Sequence, residues 1–375
     1  MLRVGVDATS WDNRRGYGRF ARNAVGRLVA LDPETAYVFY VTGDVEVPEG
    51  ATVRRVPASG RGPVCLLRLT AAASRDGLDA FLFPSVYTYF PVVRVPTVVG
   101  VHDVIARAHP ELTLPRRRDR VFWGLKERVA VRRATAVFTV SQASRAELVR
   151  TFGLEPERVA VVPEAPDAIF TPRPREAVER VLAELGLDPD ERLVVYAAGL
   201  SPHKNVETLL EAFAAVPSNG SAPARLVLAG DLEDEAFLSA AASIRDGIRR
   251  LGLADRVLLP GFVSDDQLAC LYTAAAAAVV PSLAEGFGLP AVEAAACGAP
   301  VILSELAAHR ETLGDAARYF PPRDSAALRA ELERTLADPE LRRRLGEEAR
   351  HAVAGLSWDA AAERLREVVH GAARR

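Results

Sequence analysis

Short apolar runs alternate with longer amphipathic segments along the whole chain, a pattern that predicts parallel strands joined by crossover helices. Leu2–Asp7 reads as a buried strand, followed by a loop Ala8–Gly18 and a helix over Arg19–Leu31. Ala36–Thr42, Asp79–Phe83, Thr97–Val101, Ala136–Val140 and Arg158–Val162 are further strands. Arg116–Arg133 is a basic helix, and Ser141 is placed to N-cap a helix over Ala143–Phe152. The periodicity then lapses. Pro163–Pro174 holds prolines at 163, 166, 172 and 174 and reads as a linker. Beyond it the alternation resumes, with strands at Leu193–Ala197, Arg225–Ala229, Val257–Leu259, a run ending near Pro281, Val301–Leu303 and Ala317–Phe320. Helices are expected at Asn205–Ala215, Ser325–Ala337, Pro339–Ala354 and Trp358–Ala373.

The stretch Pro281–Gly298, PSLAEGFGLPAVEAAACG, breaks the pattern in one respect. Between Asp266 and Glu305 the formally charged side chains are Glu285 and Glu293, set among apolar and small residues. A carboxylate there is costly to desolvate unless something pairs with it. Gly286 and Gly288 flank Phe287, so the backbone can approach a ligand. Pro290 suits the first turn of a helix, and Gly298 with Pro300 stops it. Strand, glycine loop and helix N-terminus together favour an anion such as phosphate. Leu289, Val292 and Ala296 make the apolar stripe of that helix, with Glu293 beside it, where hydroxyl-rich nucleotides and sugars would be natural partners.

The 375 residues suit about two domains, with 49% hydrophobic and 26% charged residues, as in an ordinary globular protein. A net charge of −2 carries no nucleic-acid-like bias. Cys65, Cys270 and Cys297 have no metal-ligand or CxxC spacing, so small core thiols in a reduced cytoplasmic setting are expected. The N-terminal MLRVGVDATS shows no signal-peptide core, and no uncharged apolar run approaches a membrane span.

Other strand ends carry further candidates. Gly199–Asn205, GLSPHKN, offers Ser201, Lys204 and helix N-terminal amides to a diphosphate, although an ordinary capped loop has the same form. Gly16–Ala21 matches G-x-G-x-x-A, but its glycines lie too far from the end of the first strand for a dinucleotide fingerprint, and a loop open to the cleft fits better. His102-Asp103 follows a strand; a neutral imidazole there can hydrogen-bond a sugar hydroxyl or exchange protons near pH 7. His109 has no third ligand nearby for a metal. Arg116–Arg118, Arg120, Lys126 and Arg128, with Phe122 and Trp123, suit an anionic membrane surface or acceptor, or simply a solvated helix face with its aromatics in the core.

Taken together these residues resemble a known family. Glu285-Gly286-Phe287-Gly288-Leu289-Pro290…Glu293, with Gly298-Ala299-Pro300-Val301 after it, is similar to the E-x7-E signature of family-4 retaining glycosyltransferases of the GT-B fold. Val101–Glu111, Val140–Leu148, Val257–Tyr272 and Ser357–Leu365 resemble the family's His-Asp, Val-Ser, Gly-Phe-Val and C-terminal Trp-helix segments in order. The resemblance implies an α/β GT-B fold: two doubly wound Rossmann-like domains with a cleft between them. Residues 1–172 would bind the acceptor and 173–355 the nucleotide sugar, with 356–375 crossing back to the first domain. It implies retention of anomeric configuration, with no cofactor and no obligatory metal. By position, Glu285, His102 and Lys204 would serve catalysis: Glu285 holds donor-sugar hydroxyls, His102 meets the transferred sugar, and Lys204 neutralises the diphosphate. Glu293 would hold the ribose. Gly286, Phe287, Gly288 and Leu289 would meet the sugar and phosphate with Ser201, and Gly16 and Gly18 would approach from the other domain. Gly261, Phe262 and Val263 would face the nucleobase.

The branch resembled is that of mannosyltransferases of glycan assembly. GDP-mannose is therefore the first donor expected and a UDP-sugar the second, with a glycan or lipid-linked acceptor, no nucleic acid, and a cytoplasmic setting at the inner face of the membrane if the basic helix touches it. A nucleotide-sugar epimerase or pseudo-glycosyltransferase is the alternative on the same frame. An NAD-linked oxidoreductase built on Gly16–Ala21 and a non-catalytic nucleotide-sugar sensor complete the set.

Overall fold

A computed structural model describes residues 1–13, 16–56, 63–217, 223–230 and 240–375. These divide into two compact units. The first comprises residues 1–104, 117–164 and 356–375; the second comprises 105–116 and 165–355.

Among the described residues of the first unit, seven strands form one parallel sheet: β1 (Leu2–Asp7), β2 (Thr35–Val41), β3 (Thr52–Arg55), β4 (Ala80–Phe83), β5 (Thr97–Gly100), β6 (Ala136–Thr139) and β7 (Val159–Val161). Their order is β3-β2-β1-β4-β5-β6-β7. Every residue of β4 and β5 is buried, which is why these strands are unbroken apolar runs rather than alternating ones. Strand β3, TVRR, is exposed along its whole length at the edge. It has no apolar run for a sequence pattern to detect, and its arginines suit an unpaired edge.

The second unit repeats the plan with β8 (Arg192–Ala197), β9 (Ala224–Ala229), β10 (Val257–Gly261), β11 (Ala275–Val280), β12 (Val301–Ser304) and β13 (Arg318–Phe320). The order is β10-β9-β8-β11-β12-β13, all parallel. Each sheet therefore has one point at which strand order reverses, between β1 and β4 and between β8 and β11. Ligands of open parallel sheets bind outside the carboxyl ends of the strands at such points.

The structure modifies several sequence expectations. The helix after β1 begins at Gly16 and continues through a π-helical stretch, Ala21–Val25, to Leu31, so Gly16 and Gly18 lie in a helix rather than a loop. Gly18 is buried, and a Cβ on it would lie 2.0 Å from the Asn13 carbonyl oxygen; only glycine lets the helix start against that turn. Helices at Pro63–Arg75 and Arg175–Glu184 are additional to those read from periodicity. The prolyl segment after Glu164 belongs to the second unit. Arg173 fastens it, donating from its amide to Thr273 Oγ1 at 3.1 Å and pairing with Asp266 at 2.8 Å.

The last helix, Trp358–Ala373, lies in the first unit. Trp358, Ala361, Ala362, Leu365, Val369 and Ala372 form its buried stripe at helical spacing. Asp359 pairs with Arg27, the Trp358 ring meets Phe20 edge-on at 6.1 Å, and His370 Nε2–H donates to Asp32 at 2.8 Å. Ser357 caps the helix by accepting from Ala360 N.

Candidate active site

In the second unit the segments after β8 and β11 are stitched together at the reversal point. Asn205 sits in the left-handed region with φ 56° and opens the helix Val206–Ala214. Its Nδ2 donates to the Pro281 carbonyl at 2.9 Å, and its Oδ1 accepts from Thr208 Oγ1 at 2.8 Å. Leu283 N–H donates to the His203 carbonyl at 2.8 Å. These bonds bring Lys204 over the second loop. Its Nζ donates to Glu285 Oε1 at 2.7 Å, and Ser282 Oγ donates to the same oxygen at 2.6 Å.

The chain then turns through Gly286-Phe287-Gly288 into the helix Leu289–Ala296, with Gly288 at φ 90° as its N-cap. That helix aims its amide end at the loop, where an anion is favoured. Glu293, one turn into the helix, is only 3% exposed. Its carboxylate lies close enough to Cys297 to act with burial, the larger cause, in pushing that thiol up to about 12. At the edge of the sheet, β10 ends on Gly261, with Phe262 57% exposed and Val263 buried. Two to three strand spacings separate it from the Lys204–Glu285 pair, roughly 10–15 Å. Ser201 opens the turn that carries Lys204.

A second layer lies behind the loop. Ser304 Oγ, at the end of β12, donates to the Ser282 carbonyl at 2.5 Å. His309 is fully buried in the helix Ala307–Leu313, and its Nδ1–H donates to the Ser304 carbonyl at 2.8 Å. That bond fixes the proton on Nδ1 and leaves Nε2 as a bare acceptor with no hydrogen-bond partner among the described residues. A Cβ on Gly288 would lie 2.9 Å from His309 Cδ2 and 3.3 Å from Nε2, so the imidazole edge packs directly under the glycine. A buried acceptor left unpaired costs about 1–3 kcal/mol.

In the first unit the turn after β1 and Pro84 after β4 lie at the reversal point, and His102, after β5, is tied to Pro84. His102 Nε2–H donates to the Pro84 carbonyl at 2.9 Å, Nδ1 lies 3.8 Å from Glu164 Oε1, and Phe20 meets the ring edge-on at 4.7 Å. Burial drives this imidazole down to about 4, against the smaller opposing pull of the Pro84 carbonyl. It is neutral at pH 7, so the sequence expectation of proton exchange near neutrality does not hold. What remains is hydrogen bonding by a fixed ring. Arg22 Nη1 donates to the Trp11 and Asn13 carbonyls at 2.6 and 2.7 Å and holds the turn before Gly16. Asp7 Oδ1, buried at the end of β1, accepts from Thr9 N and Oγ1 at 3.1 and 2.7 Å.

Two family models match this chain: Glycosyltransferase Family 4 over residues 15–168 and Glycosyl transferases group 1 over residues 178–352. The chain belongs to the family-4 glycosyltransferases. It is 29% identical over 350 residues to O-antigen chain mannosyltransferase B of Escherichia coli, a match covering 87% of this chain and 88% of that one. It is 34% identical to the MMP alpha-(1->4)-mannosyltransferase of Mycolicibacterium hassiacum, over 71% of this chain and 63% of that protein. Sucrose-phosphate synthase from Thermosynechococcus elongatus shares the fold, with TM-score 0.81, 22% identity and 99% of both chains covered. The architecture is therefore GT-B, as the signature implied.

The charge state of the Lys204–Glu285 site follows from its geometry. Burial alone would raise Glu285, but the Lys204 charge and the donors of Lys204 and Ser282 outweigh it and hold the carboxyl at about 2. His309 is driven down, first by burial; the Glu285 charge opposes this and Lys204 adds to it. The resting site is thus an ion pair beside a neutral imidazole. Sequence reading singled out Lys204 and Glu285 but not that they bind each other. It passed over Asn205, Ser282 and Ser304, whose signals are polar residues following or ending strands, and His309, which looks like any helix histidine.

Because the ordinary value for Glu285 is 4.5 and the folded value is about 2, its ionised form stabilises the fold above roughly pH 5. That contribution, on the order of 3 kcal/mol, is lost as pH falls toward 2. Urea unfolding between pH 7 and pH 3 should show a steep acid limb in the wild type and a shallower one in Glu285→Gln. Parallel limbs would contradict the assignment.

Proposed function

We propose that this glycosyltransferase transfers a hexosyl group, mannosyl in the first instance, from a nucleoside-diphosphate sugar to a hydroxyl of a glycan or lipid-linked acceptor with retention of configuration. The observation that carries the reading is the Lys204–Glu285 pair at the reversal point of the second sheet, next to a glycine turn and a helix N-terminus. Mannosyl rests on the two mannosyltransferase relatives, and GDP-mannose is the donor expected from the branch that the sequence resembles. A UDP-sugar is the second choice.

In this reading the diphosphate takes Lys204 from Glu285, together with Ser201 and the amides of Phe287, Gly288 and Leu289. Glu285, freed of its cation, accepts from hydroxyls of the donor sugar. Glu293 accepts from the ribose hydroxyls, and Gly261, Phe262 and Val263 flank the base. The amides and Lys204 carry the charge that develops on the leaving diphosphate, the electrostatic role a divalent cation would otherwise fill, so no metal is required. The leaving phosphate oxygen, on the face that the acceptor attacks, takes the acceptor proton. This front-face displacement keeps the anomeric configuration and needs no enzymatic nucleophile.

In a thermal-unfolding screen of nucleotide sugars, GDP-mannose should raise the midpoint most, since a ligand that binds only the folded state stabilises it by mass action. With a mannoside acceptor, NMR of the earliest product should show the donor's anomeric configuration, with chelator present. Lys204→Ala should lower turnover about 10- to 100-fold, the value of one charge-assisted contact, and should also lower the unfolding midpoint, because it strands the buried Glu285 carboxylate. An inverted product would overturn the mechanism. Conversion of the donor without an acceptor would favour an epimerase, and binding without transfer a sensor.

The helix Arg117–Arg133 of the first unit carries Val121, Phe122 and Leu125, each at least 60% exposed, on one face with Arg118, Arg128 and Arg132. No described helix is long and apolar enough to cross a membrane. An apolar centre with cationic ends suits the surface of an anionic bilayer, where a lipid-linked acceptor would be met. Vesicles containing phosphatidylglycerol should sediment the wild type but not a Phe122→Ser/Leu125→Ser variant. Equal sedimentation of the two would remove this role.

A further inference from the structure

We infer that His309 is a positioning residue of the donor site that takes up a proton when the nucleotide sugar binds. The inference rests on the donor-site reading above and goes beyond it. Three features of the geometry support it. His309 Nε2 is a fully buried nitrogen without a hydrogen-bond partner among the described residues. Its ring edge lies against Gly288, at the turn whose amides receive the diphosphate in this reading. Its other nitrogen is tied through the Ser304 carbonyl, and Ser304 Oγ through the Ser282 carbonyl, to the residue that donates to Glu285.

The charged groups acting on the ring are Glu285, from the turn after β11, and Lys204, from the turn after β8. Its own carbonyl accepts from Tyr319 OH of β13 at 3.3 Å, and Arg310 beside it is already paired with Glu305. At rest the lysine neutralises the glutamate, burial dominates, and the imidazole is neutral. Binding changes both sides of that balance. The diphosphate brings negative charge to the far side of Gly288. It also draws Lys204 off Glu285, so the carboxylate acts on the ring without its counter-ion. Both changes favour imidazolium. A proton moves from solvent to Nε2, and no covalent bond is made or broken. The cation so formed sits behind the loop and opposes the charge that grows on the leaving diphosphate. His309 thus acts through the loop and through Glu285, without touching substrate.

The sign is definite. Uptake raises the folded protein's affinity for protons on binding, so donor affinity is greatest at low pH and falls as pH rises through the bound-state value of His309. The diphosphate of a nucleotide sugar does not itself titrate near neutrality, which makes it a clean probe. Calorimetric titration of the wild type with GDP-mannose and with UDP-glucose, in buffers of differing ionisation enthalpy, should show net proton uptake near pH 7. Affinity should fall roughly three- to tenfold between pH 6 and pH 8. In His309→Asn, whose amide can keep the bond to the Ser304 carbonyl, uptake should vanish and affinity should change by less than about twofold over the same range.

Should that variant fail to fold, nitrogen NMR of the wild-type histidines supplies the same answer. One of the six rings should change from the Nδ1–H tautomer to imidazolium on adding donor. Equal proton uptake in wild type and variant, or no ring changing state, overturns the role of His309 while leaving the transferase reading intact. Failure of both nucleotide sugars to bind overturns the donor-site reading and this inference with it.

Discussion

The ion pair between Lys204 and Glu285 is the constraint on which the second unit's site depends. Both side chains are largely withdrawn from water, at 16% and 9% exposure. Such a pair adds little net stability, because its Coulomb gain is offset by desolvation, yet removing either partner leaves a costly buried charge. The local architecture follows from that. Asn205 accepts a left-handed backbone so that its amide can hold Pro281, Ser282 donates to the carboxylate, and Gly288 clears room for His309. A pair held in this way is fixed in place before any ligand arrives.

The rest of the fold places that pair. Parallel strands buried on both faces must send their polar work to the strand ends, and strand order determines which ends converge. In the second sheet the reversal between β8 and β11 puts the turn of Lys204 beside the turn of Glu285, although 81 residues of chain separate them. In the first sheet the reversal between β1 and β4 sets the helix of Gly16 and Gly18 near the Pro84 carbonyl that holds His102. Function at these points needs few residues because the sheet supplies the geometry.

Much of this could be read from the chain. Apolar runs such as Thr97–Val101 and Val301–Leu303 are long enough, and their flanking turns clear enough, to give strands within a residue or two. Glu285 and Glu293 stood out because charge is otherwise absent around them. What could not be read has physical reasons. Strand β3 has no apolar run because both its faces meet water. Gly18 looks like a flexible-loop glycine, yet its need is steric and comes from Asn13 several residues away. His309 resembles any helix histidine, because its bare Nε2 is visible only once the Ser304 carbonyl has claimed Nδ1. His102 was placed correctly at a strand end, but its depressed proton affinity is a property of burial that no local pattern reports.

The account stands on one exchange of partners, in which the diphosphate takes Lys204 from Glu285. The most direct test is a crystal structure of the protein with GDP-mannose, or with the nucleotide sugar that binds it. Lys204 Nζ should lie within hydrogen-bond distance of a phosphate oxygen and Glu285 against hydroxyls of the sugar. A nucleotide sugar bound with the 2.7 Å Lys204–Glu285 contact intact and its diphosphate elsewhere would contradict it.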